Sequence, residues 1–548
     1  MPVPSKLRLS SAARAAWVAA LLVGLPAAAG AQSAPDVSAQ CDVDESKPTA
    51  ITFAQLSISK AASAPNATER QKAIREGTKR LGEMRTAENP AGKAFAYGKF
   101  AVLWLQDAAT PDKATFGDFN IPGDKAAVLD VTAFADSNLK VVETLNPKCE
   151  PLVAQWRTQQ AWFRYIQAAF AAIGQDDIAK AEDQARRSLL LNTKSAYAPY
   201  ILSNGAARRY QSANGAARLA VADTAFFWMD ETVKQAGSDT VYGDIKKRTL
   251  LDASRLRVDI FETAVATDLK TACAKYAPPA AASLVAFTAE TPNSPDAPGA
   301  RSSLSNLHLS CGDTAKAEAV YDAVVKAPTS YGDIETTSAG VLMSRINRAQ
   351  KAMTLFEGAL AVNPAQRDAL NNLAATYYTA NKYTEMMPVV TKLVQIDPNN
   401  PDNWLWYAYA YQGLMKPLKP ADPKRKLYSD SLSYYNNLSE TMPLKVSFSA
   451  FSRGDTETKL AGTVEFRQLT PPAPARRTPA RAGAKPAAAA AAPATKDITM
   501  TVEFLDKAGA VVEQVVVPVG AIKAGETKEF QAATKKPGAV AFRYAKLS

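Results

Sequence analysis

The sequence has few of the residues that build metal centres and nucleophilic active sites. Its 548 residues include one histidine, His308, and four cysteines, none of them in a Cys-x-x-Cys pair. These counts exclude a two-histidine zinc site and a zinc ribbon. Phosphate-binding loops, G-x-S-x-G elbows and strand-linked G-x-G-x-x-G motifs are also absent. We therefore expect a non-enzymatic protein with no catalytic residue, metal or cofactor, and an enzyme of unrecognised type is the remaining alternative.

Long apolar runs are also absent, apart from a short one near the N-terminus. Residues 1–14 carry three cations and no acid, Ala15–Leu25 is apolar, and small residues precede Gln32. This order predicts a signal peptide over 1–31 and an exported protein, periplasmic or secreted. The run is too short to span a bilayer, so we expect no transmembrane segment. Lipidation of Cys41 is the less favoured alternative, because a glutamine precedes that cysteine.

The net charge of +11 is concentrated outside the part of the chain that reads as folded. Three cations lie in the signal segment, and five lie in a stretch without acids: Arg476, Arg477, Arg481, Lys485 and Lys496. Without these eight charges the remainder carries +3, too little for a concentrated phosphate-binding face. We therefore expect no nucleic-acid partner.

Cys41, Cys149, Cys273 and Cys311 would form disulfides in an oxidising compartment. Four cysteines allow three pairings, and the sequence does not choose among them. Chain order favours Cys41–Cys149 and Cys273–Cys311, and four buried thiols are the other interpretation.

The middle of the chain repeats with a period of 34 residues. Pro364 and Pro398 end two alignable segments, Leu355–Pro364 and Val389–Pro398. This spacing resembles the tetratricopeptide repeat, a helix–turn–helix unit. Repeats are expected at the following positions: 298–331, 333–366, 367–400 and 401–440.

Small residues support the resemblance, because two helices approach closely only where small side chains face each other. Gly340 and Ala352 take those places in the second repeat, with Phe356 beyond them. In the third repeat Met386 replaces the small residue, which predicts a wider helix pair. Upstream, 32–297 is expected to be helical with degenerate repeats, including helices within 53–106 and 125–145.

The resemblance implies a concave groove lined by the first helix of each repeat. Carried over by position, the partner-binding residues are Asp368, Asn371, Asn372, Ala375, Tyr378, Asp402, Leu405, Tyr409 and Gln412. Lysines that would clamp a terminal carboxylate are missing from these positions. Aromatic residues at helical spacing are more often core than ligand-binding, which is the competing interpretation of the neighbouring rings: Tyr377, Tyr383, Trp406, Tyr407 and Tyr411.

After Pro443 the pattern alternates every two residues, which predicts strands over 443–548. Turns at Asp506–Gly509 and Lys523–Glu526 complete the pattern of a small β-sandwich. The order of 460–464, 502–509 and 524–530 resembles the FxLYD family of secreted β-sandwich modules. A Pro/Ala-rich stretch at 469–496 interrupts the strands and is expected to be a disordered loop. Its cations could contact an anionic envelope surface.

These features together predict a mostly α protein, with a tetratricopeptide-like α-solenoid followed by a small all-β sandwich. The function expected is an exported scaffold that binds a protein or peptide along its groove. The alternative is a cell-envelope or carbohydrate-binding protein that acts through the sandwich. Deletion of 443–548 should spare the first function and abolish the second.

Overall fold

The computed structural model describes residues 41, 43, 49–85, 88–107, 110–214, 216–454, 456–469 and 495–547. The predicted signal peptide 1–31 and residues 470–494 of the predicted loop lie outside these residues. The chain divides into two compact units between Leu256 and Arg257. None of the described helices is both long enough and apolar enough to cross a membrane.

The first unit is built mainly of helices. Their bounds are α1 Thr49–Ala62, α2 Ala67–Glu83, α3 Pro90–Leu105, α4 Val131–Leu145, α5 Glu150–Arg157, α6 Phe163–Gly174, α7 Ile178–Leu191, α8 Tyr197–Ser212, α9 Ala216–Ala236 and α10 Gly243–Val265, which runs past Leu256.

A short hairpin corrects the expected helix over 125–145. Strands β1 (Lys113–Thr115) and β2 (Val128–Asp130) pair antiparallel before α4 begins. The Asp130 carboxylate accepts hydrogen bonds from the Thr132 and Ala133 amides, 3.0 and 3.1 Å away. This N-cap fixes the helix start at Val131 and leaves residues 125–130 outside the helix.

Both disulfides favoured by chain order are present. Cys41 is bonded to Cys149 in the first unit, and Cys273 is bonded to Cys311 in the second. The pairing is confirmed, and the interpretation as four buried thiols is wrong.

The second unit begins with helical repeats. The remaining helices are α11 Leu269–Thr271, α12 Ala277–Glu290, α13 Ala297–Ser310, α14 Thr314–Ala319, α15 Asp322–Lys326, α16 Asp333–Arg345, α17 Ala349–Val362, α18 Arg367–Thr379, α19 Tyr383–Ile396, α20 Pro401–Met415 and α21 Pro423–Thr441. A π-helical turn, Ala272–Tyr276, joins α11 to α12.

The turn between the two helices of a repeat has the same backbone geometry in three successive repeats. Gly312, Asn347 and Asn381 have φ of +79°, +59° and +57°. Glycine and asparagine are the residues that adopt this left-handed region most readily. The turn therefore reverses the chain within a few residues, and each second helix packs antiparallel to its first.

Small residues allow the two helices of a repeat to pack closely. Gly340 and the residues 34 and 68 positions later, Ala374 and Ala408, are all buried. A Cβ at Gly340 would lie 2.6 Å from the Phe356 ring, so that ring occupies the space a side chain would need. Met386, which takes the place of Ala352 in the third repeat, is fully buried.

Among the described residues, six strands follow the last helix. They are β3 Leu444–Arg453, β4 Thr458–Phe466, β5 Thr495–Leu505, β6 Val511–Lys523, β7 Thr527–Thr534 and β8 Ala541–Tyr544. They form two antiparallel three-stranded sheets, ordered β3-β4-β7 and β6-β5-β8. Alternate residues of both sheets meet in one core, including Val464 and Phe530 from one and Met500 and Phe504 from the other.

The predicted fold class is thus confirmed: helix pairs of an α-solenoid precede a small β-sandwich. One detail of the expected loop 469–496 is wrong. Thr495 and Lys496 already belong to β5, and the Lys496 ammonium lies 5.8 Å from the centre of the Phe466 ring. Lys496 therefore belongs to the sandwich rather than to the interrupting segment.

Candidate partner-binding groove

The nine residues predicted to line the groove all lie on α18 or α20, and none is buried. Asp368, Asn371, Asp402, Tyr409 and Gln412 are exposed. The other four are half-buried: Asn372, Ala375, Tyr378 and Leu405. Both helices are first helices of a repeat, with α18 capped by the Gln366 side chain and α20 by that of Asn400.

Four aromatic side chains form a ring cluster on this surface: Tyr378, Tyr383, Trp406 and Tyr409. The Tyr378 ring centre lies 5.4 Å from that of Tyr409 and 6.2 Å from that of Trp406. The Trp406 and Tyr409 rings meet edge-to-face at 5.6 Å. Neighbouring rings at these spacings hold each other in place, so the surface they present is ordered before a ligand binds.

Trp406 joins the two helices through a polar contact. Its indole N–H donates to the Asn371 side-chain oxygen over 3.0 Å. The position in the repeat predicts Asn371 and Tyr409 as groove residues, whereas Trp406 and Tyr383 are among the neighbouring rings for which a core role is the competing interpretation. The aromatic composition of α20 was the available signal, but spacing alone does not separate Trp406 from its neighbour Tyr407, which is buried.

Asn372, one of the residues predicted to contact a partner, forms a hydrogen bond within its own helix. Its side-chain amide donates to the Asp368 carbonyl oxygen on its own helix, 2.7 Å away. The Asn372 carbonyl in turn accepts from the Thr376 hydroxyl. Within this arrangement the Asn372 side chain supports α18, and Asn371 is the amide that faces the ring cluster.

Charge is distributed unevenly along the groove. Asp368 and Asp402 lie in the first turns of α18 and α20, whereas Lys382 and Lys416 lie at the C-terminal ends. Asp368 is paired with Arg367 at 3.3 Å, but its side chain remains 64% exposed. The groove therefore runs from a carboxylate end, past the ring cluster, to an ammonium end.

The β-sandwich packs against the loops that connect successive repeats. We call this contact the sandwich interface; its apolar part joins Leu370, Leu393 and Ile396 of the repeats to Leu505 and Ala541 of the sandwich. Trp406 packs against the same cluster. The Trp406 indole therefore contacts both the ring cluster and an apolar cluster that includes residues of the sandwich.

One polar contact of the sandwich interface is a bidentate ion pair. The Arg453 guanidinium at the end of β3 donates two hydrogen bonds to the Asp333 carboxylate, both 2.7 Å. The Asn363 side chain donates to the same carboxylate and to the Val540 carbonyl. Burial acts to raise the pKa of Asp333, but the bonds and charge of Arg453 outweigh it and lower that pKa below its usual value.

A second polar contact lies one repeat further along, at Asp397, which is 34 residues after Asn363. The Tyr544 hydroxyl of β8 donates to the Asp397 carboxylate over 2.7 Å and accepts from the Asn399 amide over 3.0 Å. The Asn399 side chain also bonds the Leu547 backbone. Burial raises the pKa of Asp397 above its usual value, despite the Arg367 charge and the Tyr544 bond.

Outside the groove, few side chains in the part of the chain that the structure describes are arranged for metal binding or catalysis. No group of three or more histidine, cysteine or acidic side chains is arranged to hold a metal ion there. His308 lies on α13 near the Cys273–Cys311 disulfide, and burial lowers its pKa below the usual value. Neither His308 nor the Cys273–Cys311 disulfide supplies a nucleophile with an adjacent base.

The helices, turns and sheets define the class of protein: an α-solenoid of tetratricopeptide-like helix pairs joined to a small β-sandwich. No family model matches the sequence, and no curated protein matches it. Similar solved structures exist. A tetratricopeptide repeat protein from Parabacteroides merdae is 12% identical, with 50% of this chain and 99% of that chain covered and a TM-score of 0.26.

Two further structures are similar at the same level. Pseudomonas aeruginosa pilF is 14% identical, covering 52% of this chain and 93% of its own, with a TM-score of 0.22. The apo form of RapI is 10% identical, covering 71% and 86%, with a TM-score of 0.23. Because these TM-scores are low, the class rests on the helix pairs and turns of this chain.

Proposed function

We propose that this protein is an exported repeat scaffold that binds a protein or peptide partner across α18 and α20. The observation that carries the proposal is the ring cluster with its Trp406–Asn371 hydrogen bond on the exposed face of two adjacent first helices. Aromatic side chains flanked by amides supply large contact area at low entropic cost, and they dominate binding energy in protein interfaces.

Export is part of the same proposal. Two disulfides persist where thiols are not kept reduced, and the charged, apolar and small-residue order of the first 31 residues is that of a signal peptide. Carboxylates at one end of the groove favour a protein partner over nucleic acid. We also propose that the sandwich is FxLYD-like, on the residues that carry that resemblance.

Affinity capture with matched variants tests the groove. The mature chain from Gln32 would capture partners from its own cell envelope, beside a Tyr378→Ala, Tyr409→Ala variant. Tyr434→Ala is the control, because Tyr434 is a 61% exposed tyrosine on α21 outside the ring cluster. We expect a partner that is lost from the groove variant and retained by the control, and equal recovery from both would contradict the proposal.

The alternative, binding through the sandwich, needs a substitution rather than the deletion of 443–548. Deletion would uncover Leu393 and Ile396 and remove the Tyr544 partner of Asp397, which would disturb the groove as well. Val516→Glu is the better choice, since Val516 is 64% exposed on β6. A partner lost only from this variant would favour the alternative.

A further inference from the structure

We propose that the Cys273–Cys311 disulfide is a thiol–disulfide exchange site, which reacts with a protein dithiol of the thioredoxin kind. The inference does not depend on groove binding, because both cysteines lie outside the groove. Cys273 belongs to the π-helical turn between α11 and α12, and Cys311 ends α13 directly before the left-handed Gly312. Short π-helical turns inside helices occur frequently at functional sites, so the backbone around Cys273 is the first observation in favour of the proposal.

The two disulfides of the chain differ in how far a reagent can reach their sulfur atoms. Cys149 is fully buried in the core of the first unit, so its disulfide can be approached from the Cys41 side at most. Cys273 and Cys311 are both half-buried, and both line an open cavity of about 910 Å³. Exposed disulfides are the labile and regulatory ones, because the attacking thiolate must reach a sulfur atom. Accessibility therefore favours exchange at Cys273–Cys311.

The charges on the cavity wall favour a thiolate. Lys270 and Lys316 line the cavity, and Asp313 is the acid among its described lining residues. The Asp313 carboxylate lies 2.9 Å from the Lys316 ammonium, so it offsets that charge rather than the charge of Lys270. The nearby Asp268 carboxylate accepts a hydrogen bond from the Lys270 backbone amide and caps α11. Because a neighbouring ammonium stabilises a thiolate, Lys270, three residues before Cys273, should favour a thiolate on that cysteine.

The imidazole of His308 lies on the same cavity wall. Burial lowers the pKa of His308 below 6.5, so the ring is mainly neutral at pH 7 and adds no positive charge. The positive charge that an incoming thiolate meets is therefore that of the lysines. Lys270 is the lysine whose substitution tests this part of the proposal.

The exchange conserves atoms and electrons. A thiolate of the incoming dithiol attacks the Cys311 sulfur, the Cys273–Cys311 bond breaks, and its electron pair leaves on Cys273, which then takes a proton from solvent. The second thiol of the reductant loses its proton to solvent and attacks the mixed disulfide, which releases Cys311 as a thiolate that is protonated in turn. The reductant loses two electrons and closes its own disulfide, and this chain gains them as two thiols. The chain supplies the electrophile, so it needs no nucleophile of its own.

Reduction should free one short segment of the chain. The structure describes all of Leu269–Tyr276, and Ala272 is the one buried residue in that range. Segments with few buried side chains open locally at a low cost in free energy. We therefore expect this segment to open when its bond to Cys311 is lost, while the later repeats stay folded.

Thiol mapping of the chain from Gln32, without denaturant, tests the inference. The chain would be treated with dithiothreitol, quenched at intervals with excess N-ethylmaleimide, and mapped by mass spectrometry. We expect Cys273 and Cys311 to be labelled about tenfold faster than Cys41 and Cys149. Equal rates for the two disulfides, or faster reduction of Cys41–Cys149, would overturn the inference.

A charge reversal tests the part played by the cavity wall. Lys270→Glu puts a carboxylate where the thiolate approaches, so we expect reduction of Cys273–Cys311 to slow by about threefold. Lys392→Glu is the matched control, because Lys392 is an exposed lysine on α19 that does not line the cavity. The control should react at the rate of the unsubstituted chain. No slowing in Lys270→Glu, or equal slowing in both variants, would contradict the proposal.

A thioredoxin whose resolving cysteine is replaced by serine would trap the first step. We expect a mixed disulfide at Cys311 and a free thiol at Cys273. Hydrogen exchange of the reduced chain then separates an exchange site from a bond that holds the fold together: exchange should quicken within Leu269–Tyr276 and stay unchanged in α18. No trapped adduct, or faster exchange throughout the repeats, would overturn the inference and leave the groove proposal unaffected.

Discussion

At the scale of single residues, two buried carboxylates in the sandwich interface have pKa values shifted in opposite directions. Arg453 lowers the pKa of Asp333, whereas burial raises that of Asp397. A lowered pKa means stability that is present above the unfolded pKa of about 3.9 and is lost as pH falls further. A raised pKa means stability that is present below that value and is lost as pH rises. Lowering the pH therefore weakens the contribution of Asp333 to stability and strengthens that of Asp397.

Replacing Arg453 with methionine tests the first contact. Asp333 would stay buried without its cation, and we expect the free energy of unfolding at pH 7 to fall by about 3 kcal/mol. Without the guanidinium, burial would raise the Asp333 pKa, so the difference from the unsubstituted chain should shrink as pH falls below 4. Urea unfolding at pH 7 and pH 3 measures this. Adding Asp333→Asn should restore part of the loss, and a deficit that is the same at both pH values would contradict the account.

At the scale of the elements, the repeats could be predicted from the sequence because each structural position recurs every 34 residues. The 34-residue spacing and the small residues at Gly340 and Ala374 predict helix pairs, and the pairs are present. The β1–β2 hairpin was missed, because three-residue strands carry too little alternation to separate them from a helix.

Gly340→Ala tests whether close helix packing holds the second repeat together. Alanine should stabilise an isolated helix by up to about 1 kcal/mol relative to glycine. Here its Cβ would lie 2.6 Å from the fully buried Phe356 ring, and we expect a net loss of about 1–3 kcal/mol instead. Thermal unfolding followed by circular dichroism measures the change. Gly299→Ala is the control, because nothing lies within 4 Å of its added Cβ.

At the scale of the second unit, the sandwich and the repeats should unfold together. The contact between the repeats and the sandwich could not be predicted from the sequence. Nothing in the spacing of Asn363, Asp397 or Tyr544 indicates that the loops between repeats contact β8. Helical spacing also did not determine the role of Trp406, because spacing gives the face of a residue but not its neighbours, and the Trp406 indole packs against the buried repeat core as well as against the ring cluster. The apolar cluster around Leu505 and the ring cluster share this indole.

Tyr544→Phe tests the coupling between repeats and sandwich. The substitution removes the hydroxyl that bonds Asp397 and Asn399, and leaving these buried groups unsatisfied should cost about 1–3 kcal/mol. Native-state hydrogen exchange should then quicken in both α18–α19 and β8, by a similar factor. Faster exchange confined to the sandwich strands would show that the two parts open independently.

The central claim is that a partner binds across the first helices of the repeats. Its most direct test is photo-crosslinking in the native cell, with a benzophenone amino acid placed at Gln412 or at Gln395. Both glutamines are exposed, but Gln412 lies on α20 in the groove and Gln395 lies on α19, a second helix. We predict a discrete adduct from position 412 and none from position 395. Equal adducts from both positions, or an adduct from 395 alone, would contradict the account.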